Sequence, residues 1–121
     1  PERARELAAF ATSLGMTTTV STLGESAPGC ELLFSTVPSG ALTDHLTMLI
    51  TGAEIIFDAI YDPWPTPLTV AAGDHGRSVL TGLDLLAHQA SEQVRLMTSR
   101  SVEAPLLLKA ATDALTERNQ L

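Results

Sequence analysis

Two apolar runs, "CELLFSTV" at 30–37 and "AEIIFDAIY" at 53–61, constrain this chain more than any other feature. Neither alternates apolar with polar residues, as a strand with one wet face does. An unbroken apolar run suits a strand covered on both faces, the habit of parallel sheets. Parallel neighbours cannot be joined by a hairpin and need a crossover, usually a helix. The connecting segments read that way. "PSG" at 38–40 is a break, and "ALTDHLTMLI" at 41–50 reads as a short helix. "PTPLTVAAGDHG" carries a helical turn or two that stop at Gly73 or Gly76, and "RSVLTG" at 77–82 is a short strand and a turn. The longest helix follows, about 81–99, with Thr81 as its N-cap and Asp84 three residues on. A final helix at about 103–118 is entered through Glu103-Ala104-Pro105.

Upstream, residues 1–14 read as a helix with an apolar stripe of Leu7, Phe10, Ala11 and Leu14, ended by Gly15. "MTTTV" at 16–20 reads as a strand and "GESAPG" at 24–29 as turn chemistry. The order α-β-β-α-β-α-β-α-α predicts an α/β protein, a Rossmann-like three-layer α/β/α sheet with four parallel strands at about 16–20, 30–35, 54–59 and 77–80. The sheet is expected to be incomplete. A doubly wound domain opens on a strand followed by a phosphate-binding glycine loop, whereas this chain opens on a helix and has no GxGxxG. The first two strands and the glycine loop are therefore expected to be missing. In that strand order the segment at 16–20 has no neighbour, and 30–35 presents an open edge. The expected response is pairing with a missing N-terminal segment, formation of a homo-oligomer, or rearrangement of residues 1–25.

Composition excludes several functions. With 45% apolar and 17% charged residues, the 121-residue chain can pack a core as one domain or part of one. A net charge of −7 and a single lysine, Lys109, argue against nucleic acid as a partner. No apolar run reaches membrane-spanning length and no signal peptide is visible. Cys30 is the only cysteine, which fits a reducing cytoplasm and reads as a small apolar residue entering a strand. His45, His75 and His88 have no metal-ligand spacing, and no metal site is proposed.

Two features point to a site. "YDPWPTPL" at 61–68 holds three prolines and the only Tyr and Trp of the chain, at the carboxyl end of an apolar run. Loops in that position hold ligands in open α/β sheets. In the long helix, Leu83, Leu86, Ala87, Ala90, Val94 and Met97 form the main apolar face. Asp84, His88, Glu92 and Arg95 lie opposite. Gly82, Leu85, Gln89, Gln93 and Leu96 form a side stripe. A helix apolar on one face and half-apolar on another packs against two bodies. Gln89 on its margin either caps an edge of the core or binds hydroxyl groups as donor and acceptor.

"FDAIYDPWPTPL" followed by "GLDLLAHQA" resembles the C-terminal half of the shikimate dehydrogenases, with their tyrosine, proline-rich turn, "TPL" and "GLxMLxxQA" helix. "FSTVPSG" is similar to their Asn-Thr-Thr-Pro-x-Gly loop, and "PERARELA" to the helix after their Asn-Arg-Thr motif. The resemblance covers essentially the whole chain. It implies an oxidoreductase of aromatic amino-acid biosynthesis that reduces 3-dehydroshikimate to shikimate with NADPH. Residues 1–100 would be part of the NADP-binding Rossmann domain, and 101–121 a C-terminal helix returning toward a substrate domain absent from this chain.

Carried over by position, Tyr61 and Gln89 would touch shikimate. Ala59 and Gly82 would meet the nicotinamide end of NADP, and Thr36 and Val37 would pass it with their backbone. Arg3 would help hold the 2′-phosphate, or is a solvated first-turn residue. Ser35 replaces the family's Asn, Val37 its second Thr, Leu85 a methionine, and Ala59 a larger residue. The family's catalytic Lys-Asp pair has no counterpart here, so no catalytic residue is assigned and the chain alone is expected to be inactive. Two alternatives stay open: a non-catalytic nucleotide-binding or regulatory module, and a relative acting on quinate.

Overall fold

The computed structural model describes residues 2–25 and 29–118, so Pro1 and the middle, 26–28, of the turn expected at 24–29 lie outside the described residues. The elements are α1 (Glu2–Ser13), β1 (Cys30–Ser35), α2 (Leu46–Thr51), β2 (Ala53–Asp58), α3 (Pro67–Asp74), β3 (Ser78–Thr81), α4 (Gly82–Thr98) and α5 (Ala104–Arg118). The strands form one parallel sheet in the order β1-β2-β3. The fold class is the expected α/β sheet with helical crossovers, and three of the four expected strands are present.

Register divides the sheet into two faces. Leu33, Ile56 and Val79 stand side by side, as do Ser35, Asp58 and Thr81 one step on. This face is covered by α2, α3 and the turns before α2. Ile50, Ile56 and Ala72 are 0% exposed, with Leu42, Ala53 and Leu68 buried beside them. Cys30 packs on this core from the start of β1. Between these rows stand Leu32 with Ile55, and Phe34 with Phe57 and Leu80. They form the other face, which lies open: Phe34 is 57% exposed and Leu80 47%. Phe34 and Phe57 stack with ring centroids 4.4 Å apart. The apolar patterning on both faces of the strands is as expected, yet of the three layers only two are supplied by the described residues.

The helices stop and start where their chemistry dictates. Thr66 caps α3 by accepting from the Thr69 amide, with Pro67 at the first position. Thr81 and Asp84 form a reciprocal capping box at α4, which ends on Ser99 in the left-handed region at φ 57°. α5 folds back on α4, where the Ser91 hydroxyl donates to the Val102 carbonyl at 2.6 Å.

Three expectations need correction. Residues 16–20 are not a strand. Among the described residues no neighbouring strand takes their hydrogen bonds, and the segment runs irregularly and exposed beside α1, with Thr18 bonded to Thr12 and to the Ala8 carbonyl. The helix expected at 41–50 is two 3-10 turns, Ser39–Ala41 and Thr43–His45, before a short α2. On α4, Leu86 and Met97 do not belong to the buried face: they are 40% and 83% exposed. The helix instead buries Gly82, Leu83 and Ala87, with its first turn against the segment after β2 and its length against α5.

Candidate functional site

The carboxyl ends of the three strands carry a row of polar side chains where the neighbouring row is apolar. Ser35, Asp58 and Thr81 are paired across the sheet and only 6%, 2% and 7% exposed. Buried polar groups need partners. Thr81 Oγ1 bonds to Asp84 in the capping box. Asp58 accepts from Thr66 Oγ1 and the Ile60 amide. Ser35 Oγ finds no partner among the described residues.

Each strand end leads into a stretch expected to bind. β1 runs into Thr36 and Val37, which with Leu33, Ser35, Leu42 and Leu49 line a cleft of about 110 Å³. β2 runs into Ala59, whose amide donates to the Ser35 carbonyl at 2.9 Å, and then into the proline turn. Ala59, Ile60, Tyr61 and Asp62 line a shallow hollow of about 310 Å³. The Asp62-Pro63 and Trp64-Pro65 bonds are cis. Tyr61 is 39% exposed, with one edge of its ring packed.

Gly82 explains that packing. A Cβ at this position would overlap the Ala59 carbonyl oxygen and stand 3.0 Å from Tyr61 Cδ1. The first turn of α4 thus presses on the segment after β2, and Tyr61 lies against it. The protein's own backbone demands glycine here, whatever a cofactor ring also requires. Gln89 is exposed two turns along α4, on the stripe shared with Gly82. Arg3 is exposed on α1, with no hydrogen bond or ion pair among the described residues, and α1 buries no residue. The structure therefore brings Thr36, Val37, Ala59, Tyr61 and Gly82 to one end of the sheet and leaves Arg3 on a separate helix.

Lys109 forms an exposed 2.6 Å ion pair with Asp113 one turn along α5. Among the described residues, no group of three or more His, Cys, Asp or Glu is arranged to hold a metal. Asp58 and Thr66 are not among the residues expected at the site, although a carboxylate inside the apolar run "IIFDAIY" signals a buried partner.

No protein-family model matches the chain. The solved shikimate dehydrogenase of Mycobacterium tuberculosis matches it at 34% identity with a TM-score of 0.72, over 94% of this chain and 43% of that one. The chain belongs to the shikimate dehydrogenase family. A shikimate 5-dehydrogenase from Mycobacterium fortuitum gives 30% identity and a TM-score of 0.73 over 91% of this chain and 42% of its own. The curated NADP(+) shikimate dehydrogenase of Methanocella arvoryzae is 26% identical over 119 residues, 93% of this chain and 44% of the relative. The chain thus spans less than half the length of these shikimate dehydrogenases. The resemblance in "FDAIYDPWPTPL" and "GLDLLAHQA" lies in the turn and the helix that meet at Gly82.

Proposed function

We propose that this chain is the cofactor-side portion of an NADP-dependent shikimate dehydrogenase, which interconverts 3-dehydroshikimate and shikimate. The observation that carries the reading is the seating of the Tyr61 ring on Gly82 just beyond the carboxyl end of β2, with the residue 39% exposed. Tyr61 and Gln89 present a hydroxyl and a carboxamide, groups that donate to and accept from the hydroxyls of a polyol ring. The strand ends suit a dinucleotide. A buried Ser35 hydroxyl with no partner among the described residues lies in the cleft with Thr36 and Val37. When bound, the cofactor supplies the hydride; Thr36, Val37, Ala59 and Gly82 would hold it by backbone contact. Arg3 remains our candidate for the 2′-phosphate.

In the full-length protein carrying this chain, Gln89→Ala is expected to raise the shikimate KM or lower kcat about tenfold, the loss of one hydroxyl-binding group. Unchanged kinetics would remove Gln89 from the site. The 121 residues alone are expected to give no shikimate-dependent NADPH. The only lysine is occupied at the surface of α5, far in character from a desolvated proton-transfer group. Measurable turnover by the purified chain overturns that expectation. A reducing cytoplasm is the compartment we infer, from the single cysteine.

A further inference from the structure

Tyr61 sits in a proline-rich segment whose Asp62 is ion-paired to Arg118 of α5 at 3.1 Å. Pro63 and Pro65 have no amide proton, so the turn has few backbone donors with which to fix its own shape. Its two ends are joined by one buried pair. Asp58, the last residue of β2, is 2% exposed and Thr66, the cap of α3, is 0% exposed. Thr66 Oγ1 donates to Asp58 Oδ2 at 2.6 Å, the short range of a charge-assisted bond. Asp58 Oδ1 accepts from the Ile60 amide at 3.2 Å, which turns the chain at once toward Tyr61. The same Thr66 Oγ1 accepts from the Thr69 amide at 3.2 Å and so starts α3. One carboxylate and one hydroxyl therefore join the strand before the turn to the helix after it.

We propose that Asp58 and Thr66 are positioning residues, a latch that seats the Tyr61 ring against the first turn of α4 and so places its hydroxyl for a polyhydroxylated substrate. Neither side chain touches the substrate. The substrate half of this inference rests on the reading of Tyr61 given above. A free turn would spread Tyr61 over many positions, and misplacement by about 1 Å costs up to about 100-fold in rate.

The chain carries its own reporter, because Trp64, its only tryptophan, lies inside the latched segment. Thr66→Val removes the donated proton while keeping the shape. Acrylamide quenching of Trp64 should rise about twofold in this variant, with the far-ultraviolet dichroism of the sheet and helices retained. Thr66→Ser keeps the hydroxyl and should restore the parent value. If Thr66→Val does not fold, Asp58→Asn, which keeps an acceptor for Ile60, is read in the same way and should show the rise. Unchanged quenching in a folded variant of either kind overturns the latch. In the full-length protein, Thr66→Val should raise the shikimate KM or lower kcat at least about tenfold, with Thr66→Ser close to the parent. A loosened Trp64 with unchanged shikimate kinetics upholds the latch and overturns the substrate role of Tyr61.

Discussion

The two faces of the sheet are built from the same strands and much the same residues, yet they live differently. Leu33, Ile56 and Val79 meet α2 and α3, and Ile56 is completely buried. One residue along, Phe34, Phe57 and Leu80 present a comparable apolar surface, but Phe34 and Leu80 remain about half exposed. Apolar patterning records which surfaces a strand is able to bury. Whether they are buried depends on what is packed against them.

Substitutions across the sheet test that contrast. Ile56→Ala removes a packed side chain from the covered face and should cost about 2–5 kcal/mol in urea unfolding. Gly82→Ala should cost about 1–3 kcal/mol, because the added methyl meets the Ala59 carbonyl at the covered end of the sheet. Thr81→Ala removes one side of the capping box and should cost about 1 kcal/mol. Leu80→Thr, on the open face, keeps strand preference and should stay within about 0.5 kcal/mol of the parent. A Leu80→Thr penalty equal to that of Ile56→Ala would show that the open face is covered in solution. Smallest is the exposed Glu92–Arg95 pair on α4, where the hydrogen bond from Arg95 lowers the Glu92 pKa. A lowered carboxylate pKa stabilises above its unfolded value and loses that contribution as pH falls through the folded one. Glu92→Gln should therefore leave the melting temperature at neutral pH within error.

Much of the fold was legible in the residues. The runs at 30–37 and 53–61 announced parallel strands because their pattern has no polar phase, and Thr81 with Asp84 announced the start of α4. The strand expected at 16–20 failed because β-branched residues mark a preference, while a strand exists only with a hydrogen-bonding neighbour. Leu86 and Met97 share the apolar stripe yet stay exposed, because periodicity shows which residues share a stripe, not whether anything lies against it. At the site, Tyr61 was legible from its proline-rich setting and from family likeness. The Asp58–Thr66 bond was not, since it joins residues whose proximity depends on the path of the intervening turn. The collision that requires glycine at 82 depends likewise on how α4 leaves β3.

Both ladders are parallel, with Cys30 opposite Ala53 and Ile55 opposite Ser78. Every strand pairing thus joins positions roughly twenty or more residues apart, and no pair of strands can zip from a tight turn. The cost of closing such loops falls before any ladder bond repays it, which slows folding relative to helical chains of similar size. α4 and α5, adjacent in sequence and packed together, face no such delay. The time course of refolding should accordingly be heterogeneous in space: helical dichroism from the last third of the chain returns first, and the sheet closes late.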